Sequence, residues 1–384
     1  MNITMDKELH NELDMLRRMA RQLADDHFRK KAAHWDRHGK APLENLKILA
    51  ENGLTGITVK QKFGGSGATI LHAVVAVEEI ARACTPTAAF ILANCTAAEI
   101  LQQFGTKEHQ EKYLPGIVSG EVLGCWAMTE PDAGSAASEM RTKAVRKNDH
   151  YVISGNKNFI TRAAIADFFI VFARIGDSPG SKGIGAFIID KGTPGLSVGS
   201  LDHHMGLKGG ASAEVILEEC RVHKTAMIVD AGSFSRIMKG LNQARVLNPA
   251  ICLGIATEAF TLAVHYMTER KVFGKVLKNF QGLQWMIADM ATSLEAMRLL
   301  IYRAAEMLAD NDPTAAHNAA IAKLYSGEAA FKICDQAMQI HGGYGYSTEF
   351  PLERLLRDVR AFQLGGGTNE ILRTRIAANI FENI

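Results

Sequence analysis

Two glycine clusters near the end of the chain, Gly342, Gly343 and Gly345, then Gly365, Gly366 and Gly367, bracket a short charged run, ERLLRD (353–358). Glycines in such clusters let the backbone approach something flat and phosphate-bearing where a Cβ would collide. Two helix-capping turns would use the same residues. Upstream, Trp126-Ala-Met-Thr-Glu-Pro-Asp-Ala-Gly-Ser135 and Asn156-Lys-Asn-Phe-Ile-Thr161 each read as a strand that runs into a polar turn, with hydroxyls and amides at its end. A further cluster is Glu269-Arg270-Lys-Val-Phe273-Gly-Lys, followed by Gln281. The loop KFGGSGAT (62–69) is also rich in glycine, but it lacks the GK[ST] of a phosphate loop and the third glycine of a dinucleotide fingerprint, so it reads as a helix connection.

These residues need elements to hold them, and the hydrophobic period supplies three blocks. Helical spacing runs through 5–28, 43–53, 70–83 and 87–104, with Thr106 as the N-cap of one more helix. Near 121 the pattern changes to period two. Seven strands are predicted at 124–130, 141–147, 150–154, 167–175, 184–190, 196–199 and 213–219, joined by Gly/Pro/Asp turns. From about 232 the helical period returns over 233–269, 281–310, 314–341 and 370–382. The expected fold is a multi-domain α+β chain: a helical domain (1–120), a β-barrel or sandwich (121–231) and a four-helix bundle (232–384).

The 384 residues carry 43 Lys+Arg against 41 Asp+Glu, a net +2 that gives no electrostatic case for nucleic acid. No apolar stretch reaches the length of a membrane span, and the polar start of the chain is unlike a signal sequence. Six scattered cysteines, with no CxxC and no Cys/His metal spacing, read as free thiols in a reducing cytoplasm.

QIHGGYGYSTEFPLERLLRD, with GGTNEILR after it, closely resembles the C-terminal flavin-binding segment of the acyl-CoA dehydrogenases. The two strand ends match that family's TEPxxGS and [FW]IT signatures, and Arg270, Phe273 and Gln281 match a third block. The order and spacing agree across nearly the whole chain. The resemblance implies FAD as cofactor and an acyl-CoA thioester as substrate. By position, Met128, Thr129, Phe159 and Thr161 would surround the isoalloxazine, with Ser135 between flavin and CoA. Arg270, Phe273 and Gln281 of one subunit, with Gln339, Gly342 and Gly343 of another, would hold the ADP half. Thr368 and Glu370 would close over the pyrophosphate and AMP. Asn242, Arg245 and Gly367 would lie along the substrate. A shared cofactor implies a homotetramer, or at least a homodimer, and an electron-transferring flavoprotein is the acceptor such relatives imply.

One requirement of the family chemistry is not met. A base must take the α-proton of the thioester while the β-hydrogen leaves for the flavin. The family glutamate falls at Gly366 and the tyrosine beside it at Gly365; branches that place the base on the first bundle helix would have it at Ala244. Arg162 replaces the asparagine usual after [FW]IT, as an added cation near the thioester or as a contact at the rim. Glu99, on the helix with Cys95, either packs or replaces the base. His341, Tyr344 and Tyr346 shape the turn. PDAGSAASEM (131–140) and FQGLQWMIADM (280–290) look especially like the sulfinopropionyl-CoA desulfinase branch, which also lacks the glutamate. That branch holds its sulfino group with an arginine on the pocket helix, and CTPTAAFILANC (84–95) has none. The expected activity is therefore an FAD-dependent acyl-CoA dehydrogenase-like oxidoreductase. A redox-neutral acyl-CoA lyase and a silent CoA-thioester binder are the rivals.

Overall fold

The structure, a computed structural model, describes residues 7–382. The first block is α1 (Lys7–Leu23), a π-turn over Ala24–Phe28, α2 (Arg29–His38), α3 (Glu44–Glu51), α4 (Ile70–Ala81), α5 (Thr85–Phe104) and α6 (Lys107–Ser119). The first helical segment thus runs further than 5–28. Its charged run Arg29-Lys30-Lys31 is a helix face, and the segment ends only where Gly39 turns left-handed. Thr106 caps α6 as expected, its hydroxyl accepting from the His109 amide.

The β block comprises β1 (Gly124–Ala127), β2 (Lys143–Lys147), β3 (His150–Ile160), β4 (Phe168–Ile175), β5 (Ile184–Asp190), β6 (Leu196–Leu201), β7 (Ala213–His223) and a short β8 (Met227–Val229) that the sequence pattern does not reveal. The strands follow the order β6-β7-β3-β2-β4-β5-β8, and β1 pairs with β4 in parallel. Between β2 and β4 only Lys143 and Ala144 pair, so the sheet bends there and folds on itself. One core then lies between β3/β7 and β4/β5, where Tyr151 meets Phe187 edge-on at 5.0 Å. The opposite faces of β4 and β5, with Phe168, Ile170 and Phe172, pack against α5 and α6. Burial on both faces is why 168–173 is continuously apolar. The stretch Asn156–Thr161 is not simply a turn: β3 continues through Ile160. Its register slips against β7 between Ile153 and Gly155 and between Lys157 and Ile160, which hides the alternation.

The last block is α7 (Phe234–Glu269), a hairpin of β9 (Lys271–Val272) and β10 (Lys275–Val276), α8 (Gln281–Ala309), α9 (Ala315–His341), α10 (Gly343–Tyr346), α11 (Leu352–Arg360) and α12 (Asn369–Glu382). One core joins the first and last blocks, from Leu71, Ile80 and Ile91 to Ile251, Ile301 and Ile333. Helices α4 and α7 touch backbone to backbone: a Cβ at Gly254 would stand 2.2 Å from the Glu78 carbonyl. Helix α12 rests on α9 and buries only Asn369 and Leu372. The expectation that no stretch reaches membrane-spanning length needs correction. Arg236–Glu269 is long and apolar enough by composition, and 72% of its apolar window is buried inside the protein. It is apolar all round because α4, α5, α8 and α9 surround it.

Candidate active site

The register slips in β3 aim the strand's end at the loop after β1. The Asn158 amide donates to the Thr129 carbonyl at 2.9 Å, so the two signatures that the resemblance assigns to the flavin lie side by side. Behind them Lys157, fully buried, donates to the Met128 carbonyl (3.2 Å) and to Glu130 Oε1 (2.7 Å). Glu130 also accepts from the Arg141 and Thr142 amides at 2.5 and 3.0 Å. Burial alone would raise Glu130. Lys157 and the two amides override it, and the carboxyl titrates below its ordinary range. Burial pulls Lys157 down to about 8 against the attraction of Glu130. A buried, fully bonded pair of this kind fixes a loop in one geometry. Phe159 sits at φ +56° in the bulge, 61% exposed, with its ring 6.0 Å from that of His204. Ser135 and Thr161 are exposed and Met128 and Thr129 half-buried, so this surface can receive a planar ligand.

At the far end of α9 a cleft of about 620 Å³ is lined by Arg270, Gln339, Gly342, Gly343 and Tyr344 among others. Gly342, at φ 59° and ψ −135°, holds a conformation open in practice only to glycine. Tyr266 stacks on His341 at 4.2 Å, and the Arg270 guanidinium lies 5.8 Å from the Tyr344 ring. Phe273, at the tip of the β9–β10 hairpin, is 94% exposed, and Gln281 opens α8 exposed. None of Met128, Thr129, Phe159 or Thr161 lines this cleft.

The third group surrounds the second glycine cluster. Gly366 and Gly367 have φ +70° and +96°, and both are exposed. A Cβ at Gly366 would lie 2.8 Å from Asn248 Nδ2, so the side chain of Asn248 reaches into the place a residue there would fill. Asn248 stands one turn beyond Ala244 on α7, so the two positions to which the resemblance assigns a base, 366 and 244, converge on one helix face. The Gly367 carbonyl accepts from Lys323 Nζ at 2.5 Å. Buried Arg245 donates to Asn242 Oδ1 at 2.8 Å, and its Nε has no partner. Burial lowers Arg245 to about 10, with Arg375 adding repulsion, and lowers Lys323 to about 8. Thr368 Oγ1 accepts from the Ile371 amide in the first turn of α12, where Glu370 is exposed beside Arg373 (3.9 Å).

Two expectations shift. Arg162 is no rim contact. It is 2% exposed at φ +70°, donating to Asn94 Oδ1 (3.0 Å) and the Ala89 carbonyl (3.4 Å), 4.7 Å from the Phe90 ring. Burial lowers it to about 9. Glu99 faces α7, accepting from Gln103 and Gln243, and burial raises it. Sequence reasoning missed Lys157, Asn248 and Lys323. Each is a polar residue inside an otherwise regular element, and only the fold reveals what it faces. Among the described residues no group of acids, histidines and cysteines is placed to hold a metal.

The three-block fold that carries these surfaces is of the acyl-CoA dehydrogenase class. The chain belongs to the acyl-CoA dehydrogenase family: the N-terminal, middle and C-terminal domains of acyl-CoA dehydrogenase match residues 10–121, 125–220 and 233–381. FAD is the cofactor of this family. The chain is 40% identical to acryloyl-CoA reductase (NADH) of Anaerotignum propionicum, over 98% of its own length and 96% of the relative's. It is 38% identical to the caffeyl-CoA reductase-Etf complex subunit CarC of Acetobacterium woodii, over 96% and 98%. Butyryl-CoA dehydrogenase from Megasphaera elsdenii superposes with a TM-score of 0.94 at 33% identity, covering 99% of this chain and all of that one.

Proposed function

We propose that this acyl-CoA dehydrogenase-like oxidoreductase acts on an acyl-CoA thioester without the family's carboxylate base. The observation that carries this reading is the pair Gly366 and Ala244, with the Asn248 carboxamide standing where a side chain at 366 would begin. Bound FAD would supply a two-electron acceptor beside the β-carbon. Met128, Thr129, Phe159 and Thr161 would meet the ring, held in place by the buried Lys157–Glu130 pair. Ser135 would face the ring's edge and the CoA. Asn242, Arg245 and Gly367 would flank the thioester.

Arg270 and the residues Gln339, Gly342 and Gly343, expected on different subunits, line one cleft of a single chain that none of the ring-facing residues reaches, and the ADP half of each FAD would bind there where two subunits meet. Phe273 and Gln281 would come from one subunit, and Thr368 and Glu370 would close the phosphate end. Exposed Phe273 is suited to such an interface. The arrangement supports a homodimer at minimum and a homotetramer by analogy with the family. The acceptor of its electrons would be an electron-transferring flavoprotein, as the name of the A. woodii relative suggests. Replacing Arg270 by Ala removes a charge-assisted phosphate contact of about 1.5–3 kcal/mol. The variant should purify with less FAD and dissociate more readily; full flavin content with unchanged assembly would refute the shared site.

A second reading is favoured by the same emptiness. With no acid at 366 or 244, a redox-neutral elimination from an activated acyl-CoA becomes the alternative, and it would give product without bleaching the flavin.

A further inference from the structure

The loop Gly365–Gly367 contributes no side chain to the pocket, so the chemistry of the space beside it is set by what faces it. Asn248 Nδ2 lies 2.8 Å from where a Cβ of Gly366 would stand, and its carboxamide has no hydrogen-bond partner among the described residues. Arg245, three residues earlier on the same helix, is 6% exposed, meets no carboxylate, and has an unpartnered Nε. Lys323, 1% exposed, holds the Gly367 carbonyl from below. The acid that Lys323 feels is Glu370, which is exposed and lies against Arg373. A hydrocarbon chain placed here would leave the Asn248 amide and the buried Arg245 Nε without partners, which is unfavourable.

We propose that the space left by the missing side chain at residue 366 is a subsite for an anionic group, a carboxylate or a similar oxyanion, carried on the α- or β-carbon of the acyl chain. Asn248 donates to it, Arg245 supplies the opposite charge, and the glycine loop leaves room for it. Lys323 adds positive potential through the loop it anchors. This rests on the reading that an acyl-CoA lies along α7, and it names the class of acyl group that site selects. A site built from donors rejects the analogue that lacks the acceptor, because its own groups then stay unpaired. Asn248 is thus a specificity-determining residue.

Titration of the oxidised FAD-loaded protein with butyryl-CoA, succinyl-CoA and methylmalonyl-CoA, followed by the flavin spectrum, tests this. At least one carboxylated thioester should bind tenfold or more tightly than butyryl-CoA. Asn248→Leu should reduce that preference below about threefold while retaining FAD, and the near-isosteric Asn248→Asp should reverse it by repulsion. Equal binding of butyryl-CoA and the carboxylated thioesters, or a preference that survives Asn248→Leu, overturns the subsite. If butyryl-CoA binds and the preference is absent, the functional reading stands alone. If FAD is present and no thioester binds at all, both fall.

Discussion

The molecule buries charge in two opposite ways. Where α1, α4, α7 and α8 meet, every buried acid has cationic or phenolic partners. Glu79 takes two bonds of 2.9 Å from Arg21 and lies 3.3 Å from Arg82, and Glu78 accepts from Arg298 (3.2 Å) and Tyr302 (2.7 Å). Glu258 meets Arg29 and, at 3.7 Å, Arg82. Of the buried cations at the candidate site, Lys157 pairs with Glu130, but Arg162, Arg245 and Lys323 have no carboxylate within ion-pair distance. The first region is complete by itself. The second carries an unbalanced cost of burial that the fold tolerates and that an anionic ligand would relieve.

The contrast can be broken by substitution. Glu79→Ala takes the carboxylate from Arg21 and one partner each from Arg17 and Arg82, and should cost about 1–3 kcal/mol in denaturant unfolding. A loss below about 1 kcal/mol would mean that water already satisfies those arginines. At the pocket the sign should reverse. The folded pKa of Lys323, about 8, lies below its unfolded value of about 10.4. Below pH 8 both states are protonated and the full burial penalty remains. Between about 8 and 10 the unfolded chain binds more protons, so this group's contribution to stability rises with pH. Lys323→Met should therefore stabilise the flavin-free protein by about 2 kcal/mol at pH 7, an advantage gone by about pH 10. The buried thiols, with Cys95 and Cys252 pushed up to about 12 and Cys220 to about 11, make stability fall above about pH 8.5 in both proteins alike. A variant less stable than its parent at pH 7 would show the bond to Gly367 outweighing the buried charge.

The pairing of buried charges marks the limit of what the sequence makes legible. Period and turn residues are local, so β5 falls on 184–190 as expected, and the long helices lie within a few residues of their expected bounds. Glycine and hydroxyl patterns single out Thr129, Thr161 and Gly342 as candidates because each stands in a short motif whose residue types are read together along the chain. Asn248 carries no such signal: on a helix it reads as a polar interruption, and only the fold brings it to Gly366. Arg162 fails for a related reason. An arginine after a strand end reads as solvated, and nothing local shows that α5 covers it with Asn94 and Phe90. Strand β3 is cut short in the sequence reading because bulges break its alternation at the very residues that meet the Thr129 loop.

The central claim, a family pocket without its base, is tested most directly by anaerobic stopped-flow mixing of the FAD-loaded protein with butyryl-CoA. The parent should bleach slowly or not at all. Ala244→Glu, on a regular helix, should bleach faster by about 10²–10⁴-fold, the usual worth of a positioned base. Gly366→Glu should gain less, since φ +70° strains a non-glycine residue by about 1–3 kcal/mol and Asn248 blocks its Cβ. Rapid bleaching by the parent itself would contradict the account. It would show that another residue already takes the α-proton, and Glu99, raised by burial and facing α7, would be the first to replace by Gln.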